Sequence, residues 1–204
     1  MKPRRRVSWQ VSLLSRPEHG RAGEDRWAVR PGARRWVLCD GASESYDAAG
    51  WASELATALA QAGPGEEAVS LARHRYRRRA KAPGDWLAEL SRKRGSWSTA
   101  LVAELGEGGL SLRLSAIGDT EAFVLDGLEV VLAFPVTAAE GFTNTPNLVG
   151  EAAGPIPHFQ TGQLPLARIR RPSVILATDA LAARILSEPE ASRGSLLRFL
   201  AGAG

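Results

Sequence analysis

The strongest local constraint in the chain is a buried strand that has to stop at an acidic residue. Residues 36–39 form a short apolar run, and Asp40 and Gly41 follow it directly. From Ala48 the apolar residues recur at helical spacing, which predicts a helix over residues 48–62. A carboxylate therefore ends a strand beside a glycine that lets backbone approach a ligand. Carboxylate and carbonyl oxygens suit Mg²⁺ or Mn²⁺, although an Asp-Gly pair by itself is more often a turn.

The spacing of apolar residues predicts more strands than helices, with many short connections between the strands. This pattern favours an antiparallel α+β domain in layers over a doubly wound one. Strands are predicted at residues 7–13, 27–29, 35–39, 99–105, 110–116, 122–125, 129–134 and 174–177. Helices are predicted at residues 48–62, 66–79, 86–93, 181–186 and 195–200.

Length and cysteine content restrict the class of protein. A chain of 204 residues suits one domain over residues 1–204. Its one cysteine, Cys39, excludes an intramolecular disulfide and lies in a predicted buried strand, which indicates a core residue rather than a nucleophile. No apolar run has the length of a membrane span, and the start of the chain is unlike a signal peptide, so we expect a cytoplasmic protein.

Positive charge is concentrated in two places. Residues 2–6 carry four positive charges and form a basic N-terminal tail, and residues 73–94 carry a net seven, so the rest of the chain is acidic. An acidic body fits a cation site better than a nucleic-acid surface, so we expect no nucleic-acid partner. Binding of an anionic partner through residues 73–94 remains an alternative, although charged helical runs are usually solvated faces.

Four aspartates occupy similar positions relative to predicted strands. Asp25 precedes one strand, and Asp40, Asp119 and Asp179 each follow an apolar strand. Aspartate is costly near a core unless it is paired or binds a metal, so the four could converge on one site. Asp179 also precedes a predicted helix and suits an N-cap. In the predicted hairpin over residues 24–40, the register decides whether Glu24 or Asp25 meets Asp40.

The order of these motifs resembles the metal-dependent protein phosphatases of type 2C in their bacterial form. The matching stretches are Glu24-Asp25, Val37-Leu-Cys-Asp-Gly41, Gly95-Ser-Trp-Ser-Thr-Ala100, Ala116-Ile-Gly-Asp-Thr120 and Val174-Ile-Leu-Ala-Thr-Asp179. The resemblance implies two packed antiparallel sheets flanked by helices, a four-layer α-β-β-α sandwich. It also implies a signalling enzyme that hydrolyses phosphoserine or phosphothreonine in a phosphoprotein, with a metal-bridging water as the nucleophile. A cognate serine/threonine kinase would phosphorylate the same substrate.

The resemblance also implies a set of site residues with two Mn²⁺ or Mg²⁺ ions. Asp40 would bridge the ions, with the Gly41 carbonyl and Glu24 on one ion and Asp179 on the other. Asp25 would support them, and Asp119 would belong to a third, weakly held ion. Arg21 would bind the substrate phosphate, because a planar guanidinium matches phosphate oxygens. His19 lies close to Arg21 in the chain and is a candidate to protonate the leaving group.

One departure from the family pattern and one irregular segment shape the expectations. No aspartate follows Asp179, whereas the family has a late Asp motif, so we expect a C-terminally shortened domain with a weaker second metal position. Residues 135–172 have weak periodicity and several prolines, which predicts an irregular segment that could act as a flap. The alternative function is a catalytically impaired domain of the same fold that binds phosphopeptides or serves as a scaffold.

Overall fold

The computed structural model describes residues 23–79, 86–143 and 145–202. Its strands are β1 Arg26–Arg30, β2 Arg35–Cys39, β3 Trp97–Ser98, β4 Ala100–Leu105, β5 Ser111–Ile117, β6 Glu121–Asp126, β7 Glu129–Phe134, β8 Val149–Gly150, β9 Gln160–Pro165 and β10 Pro172–Ala177. Its helices are α1 Ala48–Ala62, α2 Glu66–Arg79, α3 Trp86–Arg94, α4 Asp179–Ser187 and α5 Glu190–Gly202. The predicted basic tail and the predicted strand at residues 7–13 lie outside the described residues.

The described strands form two main antiparallel sheets. One has the order β1-β2-β4-β5-β9, the other has the order β10-β6-β7, and β3 and β8 make a separate short pair. Consecutive strands such as β1 and β2, or β6 and β7, are neighbours because short turns join them.

Alternate side chains of the central strands point to opposite faces of their sheet. One face packs against helices, and the other packs against the second sheet. In β4, Ala100 and Val102 pack toward α1 and α2, whereas Leu101 and Ala103 pack between the sheets. In β6, Ala122 and Val124 pack between the sheets, whereas Phe123 and Leu125 pack toward α4 and α5. Because side chains of a strand point to opposite faces in turn, a strand with apolar residues on both faces must lie inside a layered structure.

The layers are therefore helix, sheet, sheet and helix. Helices α1 and α2 cover the five-stranded sheet, and α4 and α5 cover the three-stranded sheet. This confirms the predicted α+β sandwich of two antiparallel sheets flanked by helices. Within the described residues, no helix is both long enough and apolar enough to cross a bilayer.

The predicted flap contains more regular structure than its sequence suggests. Strand β9 lies within it and pairs with β5 along six residues, from Ser111 opposite Pro165 to Ala116 opposite Gln160. The proline that ends β9 sits at the edge of the sheet, where a missing N–H costs least. The described part before β9 is irregular apart from a 3-10 turn at Ala139–Gly141 and strand β8.

Candidate functional site

The β1–β2 hairpin brings Asp25 opposite Asp40. Its register pairs Arg26 with Cys39, so the next residue of each strand end is Asp25 and Asp40. Burial raises the pKa of Asp40, and the charge of Asp25 is the next largest cause. The register therefore selects Asp25, not Glu24, as the carboxylate that meets Asp40 across the hairpin.

The backbone around Asp40 is fixed by residues of the β3–β4 junction. The Asp40 carbonyl accepts from the Thr99 N–H at 2.9 Å and from the Ser98 hydroxyl at 2.8 Å, and the Asp40 N–H donates to Thr99 Oγ1 at 3.2 Å. Gly41 is packed so closely that a Cβ there would lie 2.9 Å from the backbone of Ala48. A side chain at that position would push the start of α1 away from the strand end.

Asp119 lies in the turn between β5 and β6, deeper than Asp25. Its neighbour Gly118 has a φ of +90°, and a Cβ there would lie 2.7 Å from both the Asn147 carbonyl oxygen and Thr99 Cγ2. On the other side of Asp119, the Thr120 hydroxyl hydrogen-bonds the Thr99 hydroxyl in a buried contact. Thr99 thus connects the Asp40 segment to the Asp119 turn.

Asp179 is the first residue of α4 and is exposed to solvent. The preceding Thr178 donates its hydroxyl to Asp25 Oδ2 at 3.3 Å, which places the start of α4 beside the β1 end of the hairpin. One carboxylate oxygen of Asp179 accepts from the N–H of Ala180 at 2.6 Å. The first turn of α4 therefore stands next to Asp25.

The four aspartates form one electrostatic cluster, which we call the acidic cluster: Asp25, Asp40, Asp119 and Asp179. Burial raises the pKa of Asp40 to about 8, with further contributions from Asp25 and then from Asp179 and Asp119. Burial, together with the charge of Asp179, also raises the pKa of Asp119. No salt bridge among residues 23–79, 86–143 and 145–202 involves any of the four carboxylates. The cluster lacks positive charge from the described side chains.

The carboxylates of the acidic cluster are close to one another but do not form a complete metal site among the described residues. Within the described part of the chain, no three His, Cys, Asp or Glu side chains form a group that could hold a metal ion as they stand. Glu24 is half-buried and is absent from the carboxylates that shift the pKa of Asp40, so its role stays a prediction. Arg21 and His19 lie outside the described residues, and their roles stay predictions too.

One buried carboxylate beside the acidic cluster was not predicted from the sequence. Glu121, the first residue of β6, is fully buried, and its Oε2 accepts from the Val136 N–H at 2.9 Å. Its Oε1 has no hydrogen-bond partner among the described residues, and burial raises the pKa of Glu121 to about 8. A charged residue two positions after Asp119, at the start of an apolar strand, was the available signal.

The irregular part of the flap lies against the same turn. Asn147 packs on Gly118, and the Trp51 indole N–H donates to the Val149 carbonyl at 2.8 Å. Helix α2 holds the following residues, because Arg73 Nε donates to the Gly150 carbonyl at 3.1 Å. These contacts place residues 147–150 next to the turn that carries Asp119.

The buried thiol offers no competing nucleophile. Cys39 is fully buried, and burial raises the pKa of its thiol well above the ordinary range, with Asp40 adding to the effect. A reactive cysteine needs a thiolate in an electropositive, accessible place. The structure confirms the expectation that Cys39 is a core residue.

No protein-family model and no curated protein sequence matches the chain. Solved structures do. The serine/threonine phosphatase Stp1 from Staphylococcus aureus is similar with a TM-score of 0.54 and 16% sequence identity, over 93% of this chain and 87% of that chain. The Mycobacterium tuberculosis serine/threonine phosphatase PstP/Ppp has a TM-score of 0.53 and 17% identity, over 92% of this chain and 88% of its own.

A third structure carries metal. It is the catalytic domain of the serine/threonine protein phosphatase PstP in complex with 2 manganese ions, with a TM-score of 0.50 and 17% identity over 92% of this chain and 88% of that chain. At such identities the likeness concerns the fold. The chain has the type 2C-like fold of these bacterial serine/threonine phosphatases.

Proposed function

We propose that this chain is a metal-dependent phosphatase that hydrolyses phosphoserine or phosphothreonine in a phosphoprotein, as one domain over residues 1–204. The observation that carries the proposal is the acidic cluster, in which aspartates from four separate segments gather in a fold shared with serine/threonine phosphatases. A fold alone does not establish an activity, so the weight rests on the cluster.

The donor set of the cluster fits Mn²⁺ or Mg²⁺. Its side chains are all carboxylates, and the Gly41 carbonyl stands next to Asp40, which is the oxygen chemistry that these hard cations prefer. Asp40 is half-buried among like charges, so its ionised form is disfavoured until positive charge arrives. A divalent cation supplies the charge that the described side chains do not.

In this proposal Asp40, Glu24, the Gly41 carbonyl and Asp179 would hold two ions, with the position at Asp179 the weaker of the two. Asp119 would contribute to a third, weakly held ion. Asp25 lies against Asp40 and keeps its carboxylate oriented, as partners of metal ligands commonly do. When bound, the ions would supply a water of lowered pKa and neutralise charge on the phosphoryl group.

The remaining proposed roles belong to the chain's own side chains. Arg21 binds the phosphate oxygens through its planar guanidinium, and His19 donates a proton to the leaving oxygen of the serine or threonine. The proposed reaction needs no protein nucleophile, which agrees with the burial of the Cys39 thiol. The substrate is a phosphoprotein, with a cognate serine/threonine kinase as the enzyme that would make it.

The test is hydrolysis of a phosphothreonine peptide with and without Mn²⁺, using Asp40→Asn as the inactive variant. Asp126→Asn is a matched control, because Asp126 lies at the far end of β6 and only binds backbone N–H groups at 3.0 and 3.2 Å. We expect Mn²⁺-dependent turnover in the wild type and in the control variant. Turnover no higher than that of Asp40→Asn at saturating Mn²⁺ would reject the proposal.

Calorimetry with Mn²⁺ separates the two ways in which activity could be missing. Two-site binding without turnover would point to a missing group outside the carboxylate cluster. Absence of Mn²⁺ binding would instead favour the non-catalytic, phosphopeptide-binding alternative.

A further inference from the structure

A concave groove of about 710 Å³ lies between α1 and α2, away from the acidic cluster. Its α2 wall carries Arg75, Arg78 and Arg79, and its α1 wall carries Glu54, Thr57 and Gln61. Thr57 and Gln61 also line an adjoining hollow of about 470 Å³ that is bounded by Arg30 at the end of β1. The two hollows share Thr57 and Gln61 and lie side by side along α1, and together we call them the arginine groove.

The one carboxylate among the described residues that line the groove neutralises only part of its positive charge. Glu54 is buried and pairs with Arg79. Arg75 donates instead to the neutral Gln61 side chain at 2.8 Å, and Arg30 donates to the Gln61 backbone carbonyl. Among the salt bridges of the described residues, none involves Arg30, Arg75 or Arg78. The groove therefore presents guanidinium groups that lack an acidic partner in this part of the chain.

The chemistry of the lining selects the kind of occupant. All of its permanent cations are arginines, whose planar donor forks bind carboxylates in a bidentate manner. Proteins that bind single-stranded nucleic acid stack the bases on aromatic side chains, and no Trp, Tyr or Phe lines either hollow. An extended acidic peptide needs no stacking surface, and its charge complements the groove.

We propose that the arginine groove binds a carboxylate-rich segment of a partner protein. The groove begins at Glu54, six residues along α1 from its start, and ends at Gln61, which at the rise of an α-helix is about 9 to 20 Å from the end that adjoins the acidic cluster. A segment in the groove therefore leaves the cluster open. The proposal rests on the groove alone and holds whether or not the chain is a phosphatase.

The probe is a twelve-residue fluorescein-labelled peptide of alternating glutamate and serine, compared by anisotropy with the same peptide carrying glutamine for glutamate. We expect the glutamate peptide to bind at least about tenfold more tightly, and to weaken as salt is raised. The double variant Arg75→Gln/Arg78→Gln should lose about tenfold or more in affinity, because it removes two unneutralised guanidinium groups.

The matched control is Arg92→Gln/Arg94→Gln, which removes the same charge from exposed positions on α3 outside the groove. We expect it to change the affinity by less than about twofold. Thermal unfolding checks that each variant folds, and the single variant Arg78→Gln, at an exposed position, serves if the double variant does not.

Three results would overturn the proposal. One is equal affinity for the glutamate and glutamine peptides. Another is the same loss in the groove and control variants, which would indicate nonspecific charge attraction. The third is tighter, groove-dependent binding of a labelled oligothymidine, which would assign the groove to single-stranded nucleic acid.

Discussion

Gly118 shows how a single backbone position holds two parts of the site together. The residue combines a φ of +90° with contacts to Asn147 of the flap and Thr99 beside Asp40. A side chain there would be strained by its backbone conformation and would also clash with neighbours on two elements. Only glycine satisfies both conditions.

The substitution Gly118→Ala should therefore destabilise the protein by about 2–6 kcal/mol, since positive φ and overpacking each cost about 1–3 kcal/mol. At about 2–4 °C per kcal/mol for a chain of this size, we expect Tm to fall by at least roughly 4 °C. Gly32→Ala is the control, because a Cβ at Gly32 meets nothing within 4 Å and the glycine has no positive φ. A Gly118→Ala protein as stable as the Gly32→Ala protein would contradict the geometry.

Thr99 gives a second prediction at the scale of one side chain. Its hydroxyl bonds both the Asp40 N–H and the Thr120 hydroxyl, so Thr99→Val keeps the shape but leaves two buried polar groups unpaired. We expect a loss of about 1–3 kcal/mol in stability and, under the proposed function, weaker Mn²⁺ binding by roughly tenfold or more.

Thr99→Ser is the matched variant because it retains the hydroxyl. Calorimetric Mn²⁺ titration and thermal unfolding of both variants make the comparison. Equal Mn²⁺ affinity in the Val and Ser variants would show that the hydroxyl does not position Asp40.

Arg35 connects three elements through one guanidinium. It donates to Glu104 of β4 at 2.7 Å and to the Ala60 carbonyl in the last turn of α1 at 2.8 Å. Both Arg35 and Glu104 are largely buried, with side-chain exposures of 14% and 16%. The planar fork thus satisfies an end of α1 that would otherwise leave carbonyls unpaired.

A lysine at this position has a single ammonium group, which cannot bond Glu104 and the Ala60 carbonyl in the geometry of the guanidinium. Arg35→Lys should therefore cost about 1–2 kcal/mol. Arg113→Lys is the control, since Arg113 approaches the same Glu104 only at 4.0 Å with a side chain that is 64% exposed, and it should change stability by less than about 0.5 kcal/mol. Urea unfolding measures both. Equal losses in the two variants would mean that the link to α1 contributes nothing.

Among the helices and strands, prediction was most accurate where the spacing of apolar residues and the length of the segment indicated the same type of element. The prediction of α1 at residues 48–62 and of β7 at residues 129–134 matches the structure residue for residue, because Gly63-Pro64 ends the helix and Asp126-Gly127 and Pro135 flank the strand. Strand β9 carries a weak signal, because Leu164 is its only large apolar residue and its position depends on pairing with β5. Helix α5 runs through Gly194 and so extends beyond residues 195–200, because its leucines pack on the three-stranded sheet.

The acidic cluster belongs to the whole molecule, because its members come from both sheets and from α4. Position in the chain predicted that Asp40, Asp119 and Asp179 end strands, but only the β1–β2 register decides between Glu24 and Asp25. The position of Glu121 at the start of an apolar strand is visible in the sequence, but its burial depends on the segment around Val136 folding back over β6. Metal ligation by these residues stays a prediction.

The cluster makes a testable statement about the stability of the whole chain without metal. Burial and the neighbouring carboxylates raise the pKa of Asp40 from 3.8 to about 8, so the folded state holds its proton more tightly than the unfolded chain does. The stabilisation from Asp40 is therefore full below pH about 4 and is lost as the pH rises toward 8. In EDTA, Asp40→Asn should be more stable than the wild type, by a margin that grows from pH 5 to pH 8.

Asp126→Asn is the matched change with the opposite sign. Backbone N–H groups of Arg171 and Arg170 lower the pKa of Asp126, so its stabilisation is present above its unfolded pKa and fades as the pH falls through its folded pKa. This variant should be less stable than the wild type at pH 8, with the difference shrinking only in more acidic buffer. Thermal unfolding in EDTA across the pH series compares the three proteins.

Mn²⁺ should reverse the order of the wild type and Asp40→Asn if the cluster is a metal site. An ion at 100 times its dissociation constant stabilises a folded protein by about 2.7 kcal/mol, which for a chain of this size is a rise in Tm of roughly 5–10 °C. Asp40→Asn, which lacks one of the carboxylates that would hold the ions, should gain little, while Asp126→Asn should gain as much as the wild type. If Mn²⁺ raises the Tm of Asp40→Asn as much as that of the wild type, the ion binds elsewhere, and the repulsion among the four aspartates must be offset by something other than a metal.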